Sequence, residues 1–295
     1  MSLSTAPTLS QLLPYPPRFL PWQDGRVHYV DVGPRDAPVI LCLHGFPTWS
    51  LLFRQPLNAL TSDWRVLAVD LPGFGCSDPG TGPFSPPAMT ALLDALLEAA
   101  AVSSVDLLAH GSGVRLALDF VANRQDAVRR CCFVSGCATS APMLGSSWYE
   151  WLLDRQADGR LAALFDDFDT LLPGVMRRMG GGHGFTLGNT QAEGYAAVFR
   201  CPRAREAALR LLEDTDLAPV AEPATGRVLS QQATLLVYGG LDATLDIDAA
   251  TRELGTAFPQ HRSVHLPGIG HFVPEEAGDL LASLFAAFLQ ENDAD

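Results

Sequence analysis

The chain has 295 residues, 47% of them hydrophobic, and a formal net charge of −13 at pH 7. That is enough apolar material for one large core with an insertion. The acidic charge is spread along the chain, which argues against nucleic acid and anionic membranes as partners.

In chain order, the opening M1-S-L-S-T-A-P-T-L-S-Q has neither a basic region nor a continuous apolar stretch. No secretory signal is read there, no apolar run is long enough for a bilayer, and the expected location is cytoplasmic. Short β-branched runs predict strands at Val27–Val32, Val39–His44, Arg65–Asp70, Val105–His110, Arg130–Ser135, Thr234–Tyr238 and Ser263–Leu266. Helical patterns fall at Trp49–Leu60, Ala88–Ala101, Gly113–Ala122, Ile247–Ala257 and Pro274–Leu289. This alternation predicts a mostly parallel sheet flanked by helices.

Residues 137–230 break the rhythm, with helical stretches at Trp148–Gln156 and Ala204–Leu212 and no strand. They read as a helical cap over the sheet's C-terminal edge, where open α/β sheets bind ligands. The core domain is then 1–136 plus 231–295. The glycine-rich M179-G-G-G-H-G184 is unframed by strand and helix, so it reads as a mobile cap loop, not a phosphate cradle. The arginine pairs Arg129-Arg130 and Arg177-Arg178 read as solvated surface.

The six cysteines include no C-x-x-C pair, and several sit in strand-like runs, as buried reduced thiols do. His28, His261 and His265 show no metal-binding cluster, His183 reads as exposed, and no metal or cofactor is expected.

Three features carry chemistry. The turn in L43-H-G-F-P-T-W49 can aim the Phe46 N–H at developing negative charge, as half of an oxyanion hole. The stretch V105-D-L-L-A-H-G-S-G-V-R-L-A-L-D-F120 reads as a strand, a sharp turn and a helix. The residue after its tip, Ser112, offers the second N–H. Late loops then supply Asp242 and His271, an acid that can orient a histidine base.

With H28-Y-V-D-V-G33, H44-G-F-P-T-W-S50, D70-L-P-G-F-G-C-S-D78 and G270-H-F-V273, the chain resembles the α/β-hydrolase superfamily. The nearest likeness is the branch of haloalkane dehalogenases, epoxide hydrolases and fluoroacetate dehalogenases. The resemblance runs from about Val27 to Phe288 and is weakest in the cap. It implies a mostly parallel sheet flanked by helices, with a helical cap after the sixth strand. It also implies chain order nucleophile, acid, histidine, with Asp242 as the acid because Ser135-Gly136-Cys137 offers no carboxylate at the alternative position.

The departures from the family pattern are sharp. Where the branch carries Asp or Ser at the turn tip, this chain has Gly111. Ser112 replaces the halide-holding tryptophan of the dehalogenases, and Ala163 stands where a second one is expected. Ordinary haloalkane dehalogenation is therefore not expected. One reading keeps an enzyme acting on a small, largely apolar molecule. His271 would act as base on water or substrate, cleaving a haloalkane-, epoxide- or ester-like bond or running a lyase-type reaction. A second moves the nucleophile to Ser112. A third is an inactive or engineered protein that only binds ligand. The small-molecule partner would meet a monomer or homodimer. Cap aromatics Trp148, Trp151, Tyr149 and Tyr195 are candidate substrate contacts, although aromatics at helical spacing also pack as core.

Overall fold

The structure is a computed structural model, and it describes residues 12–165, 168–180, 187–218 and 229–291. Eight strands form one sheet: β1 (Arg18–Trp22), β2 (Gly25–Val32), β3 (Val39–Leu43), β4 (Arg65–Val69), β5 (Val105–His110), β6 (Val128–Val134), β7 (Thr234–Gly239) and β8 (His261–Leu266). Their order is β1-β2-β4-β3-β5-β6-β7-β8. The first two strands run antiparallel, and from β4 across to β8 every pairing is parallel.

β3, β4, β5 and β7 are buried at every position. Runs such as V39-I-L-C-L43 lack polar alternation because helices cover both faces of a parallel sheet. β5 lies between β3 and β6, so whatever follows it emerges near the middle of the sheet's C-terminal edge.

The helices are α1 (Arg54–Leu60), α2 (Pro86–Ala99), α3 (Ser112–Asn123), α4 (Ser147–Ala157), α5 (Phe168–Met179), α6 (Asn189–Val198), α7 (Pro202–Asp214), α8 (Ile247–Ala257), α9 (Val273–Glu276) and α10 (Gly278–Glu291). Between β6 and β7 the described elements are all helical, α4 to α7 with short 3-10 turns. The glycine-rich segment around His183 lies outside the described residues.

The pattern differs from the expectations at three places. β1 is additional, because Pro21 interrupts a strand-like run; an edge strand tolerates proline, having one side free of ladder bonds. The predicted helix from Pro274 to Leu289 is two helices, broken at Ala277 (φ −145°, ψ 41°). A Cβ on the next residue, Gly278, would lie 2.6 Å from the Cβ of Gln55, so close packing against α1 sets the break.

The third concerns Arg129 and Arg130, which are structural and not solvated surface. Arg130 Nε donates to Asp106 Oδ1 at 2.8 Å and its Nη1 to the Leu289 carbonyl at 2.7 Å. Arg129 Nε also donates to Asp106 Oδ1, at 3.3 Å. The Asp106 side chain is fully buried. Arg177 and Arg178, by contrast, are exposed as expected, Arg178 lying over the Trp151 ring at 4.9 Å.

Candidate active site

The β5–α3 turn pivots on Gly111, whose φ of 56° and ψ of −131° lie outside ordinary L-residue space. Its N–H donates to the Val134 carbonyl at 3.0 Å, tying the tip to β6. A Cβ at Gly111 would have only His271 within 4 Å, with Nε2 at 3.3 Å and Cε1 at 3.7 Å. The tip therefore faces the histidine closely, and a side chain there would press on Nε2. The turn also needs Gly45 beside it, where a Cβ would lie 2.7 Å from the Ser112 nitrogen.

His271 is 3% exposed, and its Nδ1 bonds Asp242 Oδ2 at 2.9 Å. Asp242 Oδ1 accepts from the Thr244 N–H at 2.8 Å and from its hydroxyl at 2.6 Å. Both bonds from Thr244 fix the Asp242 side chain so that Oδ2 points at Nδ1. The proton then sits on Nδ1 and Nε2 is left with its lone pair, as a base requires. Glu276 Oε2 accepts from the Gly270 N–H at 3.0 Å, fixing the loop beside the histidine. Gly239 permits that loop to close, since a Cβ there would lie 2.0 Å from the Gly270 carbonyl.

The two expected oxyanion donors are not free together. The Phe46 N–H donates to Ser112 Oγ at 3.0 Å. The Ser112 hydroxyl thus sits where a substrate oxyanion would, and among the described residues it makes no hydrogen bond to His271. The residue brought beside the base is Gly111, not Ser112.

A small cavity opens over this turn, lined by Gly111, Ser112, Phe46, Trp148, Thr244 and His271 together with Arg115, Asp216, Ser135, Cys137, Met143, Met179 and Leu245. It has about 20 Å³ of room for water centres, and one water needs roughly 10–15 Å³ by that measure. The lining mixes apolar side chains with the polar Ser112, Arg115, Ser135, Asp216, Thr244 and His271.

Arg115 was legible in the sequence, since it follows Gly111 by one helical turn and so shares its face. Its guanidinium donates to the Thr215 carbonyl and reaches Cys137 Sγ at 3.5 Å, while its Nε has no partner. Asp216 had no local signal, because only the packing of the α7 exit over the sheet brings it here.

Of the cap aromatics, Trp148 alone lines the cavity, with its ring 6.2 Å from that of Phe46. Trp151 stacks behind it and carries Arg155 on its face at 3.8 Å. Tyr149 is buried but lies outside the cavity lining. Tyr195 also lies outside that lining; its hydroxyl bonds Glu275, which pairs with Arg54, so it ties α6 to the core.

Two further histidines shape the turns and stay neutral. His110 Nε2 donates to the His271 carbonyl at 2.9 Å, and burial holds its pKa well below the usual value. His44 Nε2 accepts from the Leu71 N–H at 2.9 Å. Burial lowers its pKa to about 4, against the opposing charge of Asp70. Between about pH 6.5 and 4 the unfolded chain binds protons that folded His44 refuses, so stability falls as pH falls through that window. Urea unfolding midpoints are expected to drop between about pH 7 and 5, and His44→Asn is expected to flatten that slope.

His28, Asp70 and Cys76 place possible ligand atoms within 4.8 Å of one another. Asp70 Oδ2 already accepts from His28 Nδ1 at 2.8 Å and the Cys76 N–H at 2.9 Å. Burial pushes the Cys76 thiol up to about 12, far from the thiolate a metal needs. The cluster is a hydrogen-bonded brace for the D70-L-P-G turn.

The α/β-hydrolase fold family model matches residues 38–277. The chain belongs to that family. Haloalkane dehalogenase 2 of Mycobacterium tuberculosis is 26% identical over 295 residues, covering 96% of this chain and 98% of that protein. A haloalkane dehalogenase of Mycolicibacterium paratuberculosis is 28% identical over 279 residues, 90% of this chain and 88% of its own. Among solved structures, an epoxide hydrolase superposes with TM-score 0.77 at 20% identity, covering 94% of this chain and 99% of its own. A haloalkane dehalogenase loop variant from Bradyrhizobium elkanii gives 0.71 at 23%, covering 95% and 97%. This α/β-hydrolase is thus similar in sequence to haloalkane dehalogenases and shares its fold with a dehalogenase and an epoxide hydrolase. No described helix is long and apolar enough to cross a membrane.

Proposed function

We propose that this α/β-hydrolase cleaves a small organic molecule by direct water attack, with no covalent intermediate. The observation that carries this reading is that Gly111 faces His271 Nε2 with no side chain between them, beside a cavity that both residues line and that has room for a water. A water there replaces the missing nucleophile. His271 takes its proton, Asp242 holds the ring and balances the imidazolium, and the Ser112 hydroxyl, braced by the Phe46 N–H, faces the reacting group. In this reading residues 137–230 are the cap on a core of 1–136 and 231–295. The cavity is water-sized, so substrate enters as Met143 and Met179 give way, which flexible thioethers allow.

The arrangement weighs against Ser112 as a relocated nucleophile, because its Oγ accepts from the Phe46 N–H and lacks a base. The test is Ser112→Ala, assayed on styrene oxide, p-nitrophenyl acetate and butyl bromide. Activity on whichever probe the wild type cleaves is expected to stay within about tenfold, a change of ~1.4 kcal/mol. Mass spectrometry during turnover is expected to show no covalent adduct. Complete loss in Ser112→Ala, or an adduct on Ser112, overturns the water mechanism.

A further inference from the structure

The proposed water mechanism leaves unused a second carboxyl-or-imidazole group on the cavity lining besides His271. That group is Asp216, just beyond the end of α7 and 6% exposed. Its surroundings supply few donors for a carboxylate. The Thr215 hydroxyl reaches Oδ1 at a long 3.3 Å. The indole N–H of Trp148 faces it without reaching good hydrogen-bond geometry. Arg115 is near enough to attract it, yet makes no ion pair with it within 4 Å among the described residues. Its guanidinium is spent on the Thr215 carbonyl, Cys137 and Met143. Burial with so few donors favours the protonated form of a carboxyl. Burial raises its pKa above the ordinary value, with the charges of Arg115 and His271 pulling the other way. Cys137, from the segment after β6, is the remaining titratable group on that wall.

Resting on the water mechanism, we infer that Asp216 is the general acid of this site and that the scissile bond joins carbon to oxygen. His271 Nε2 takes a proton from the water above Gly111, and the water oxygen bonds to the electrophilic carbon. The carbon–oxygen bond breaks with its electron pair on oxygen, and the Asp216 proton moves to that oxygen. The imidazolium proton then returns through water to the Asp216 carboxylate. One water is consumed and two hydroxyl groups result, as when an epoxide becomes a diol. A departing halide needs N–H donors and no proton. Here the following position is Ser112, and the Phe46 N–H is already engaged by its hydroxyl. An acid facing a base suits a leaving oxygen.

Two measurements test the assignment. Infrared difference spectra of wild type against Asp216→Asn read the protonated carboxyl directly, without substrate. The carboxyl is expected still protonated at about pH 6, where an ordinary aspartate near 3.9 is ionised. Full ionisation there overturns the inference. On styrene oxide, Asp216→Asn is expected to lower kcat by ~10²-fold or more and to erase the alkaline limb of the pH profile. Asp216→Glu restores part of both. Wild-type rates in Asp216→Asn, alongside loss in His271→Ala, overturn the acid's role and leave the water mechanism standing. A wild type that cleaves butyl bromide but neither styrene oxide nor p-nitrophenyl acetate overturns the substrate class. Silence on every probe, p-nitrophenyl acetate included, overturns the water mechanism as well.

Discussion

Turnover in His271→Ala is expected to fall by ~10²–10⁴-fold, the usual contribution of a positioned general base. The reason is that, among the described residues, no other base stands at the tip. His271 Nε2 is the group nearest the space above Gly111, and its partner Nδ1 is fixed by Asp242 at 2.9 Å. The neighbouring His110 cannot take over. Its Nε2 is committed to the His271 carbonyl, and burial keeps it neutral. Stability is expected to change less than turnover, since the Asp242 carboxylate keeps both bonds from Thr244. Steady-state kinetics beside an unfolding curve separate the two effects. Unchanged turnover in a folded variant sinks the assignment of the base, and retained ligand binding with no turnover in either protein points to a binding role.

Asp106→Ala is expected to destabilise the fold by ~3–5 kcal/mol, the typical cost of removing one partner from a buried charge network. Asp106 is fully enclosed on β5, and both Arg129 and Arg130 converge on its two oxygens. Arg130 is itself nearly enclosed, so deletion strands a cation against the sheet. Urea unfolding gives the magnitude. Adding Arg130→Met to an Asp106→Leu chain is expected to recover part of the loss, because the remaining buried charge goes too. A stability loss under about 1 kcal/mol, the scale of an exposed pair, contradicts the structural reading of this arginine pair.

The contrast between those arginines and the catalytic-type residues shows how far sequence reasoning reached. Strand runs such as V105-D-L-L-A-H110 and the glycine-framed turns were legible because period and turn chemistry are local. So was the chain order Gly111, Asp242, His271, which follows from motifs that end successive strands. Arg129-Arg130 was misread because a charged pair beside a strand looks the same whether it faces water or a buried aspartate across the sheet. β1 escaped because Pro21 conceals an edge strand whose pairing with β2 is settled by neighbours.

The sequence by itself therefore determined the fold class, the sheet-edge position of the site and the loss of a side chain at Gly111, since each depends on residue types at fixed local spacing. The tertiary structure alone decided three things. Ser112 Oγ rests on the Phe46 N–H and away from His271. Tyr195 joins Glu275 and Arg54 in a buried brace. Asp216 comes from the end of α7 into the same cavity as His271. All three are contacts between segments distant in the chain. Their geometry is fixed by how helices pack on the sheet, a quantity that no local pattern of residues encodes.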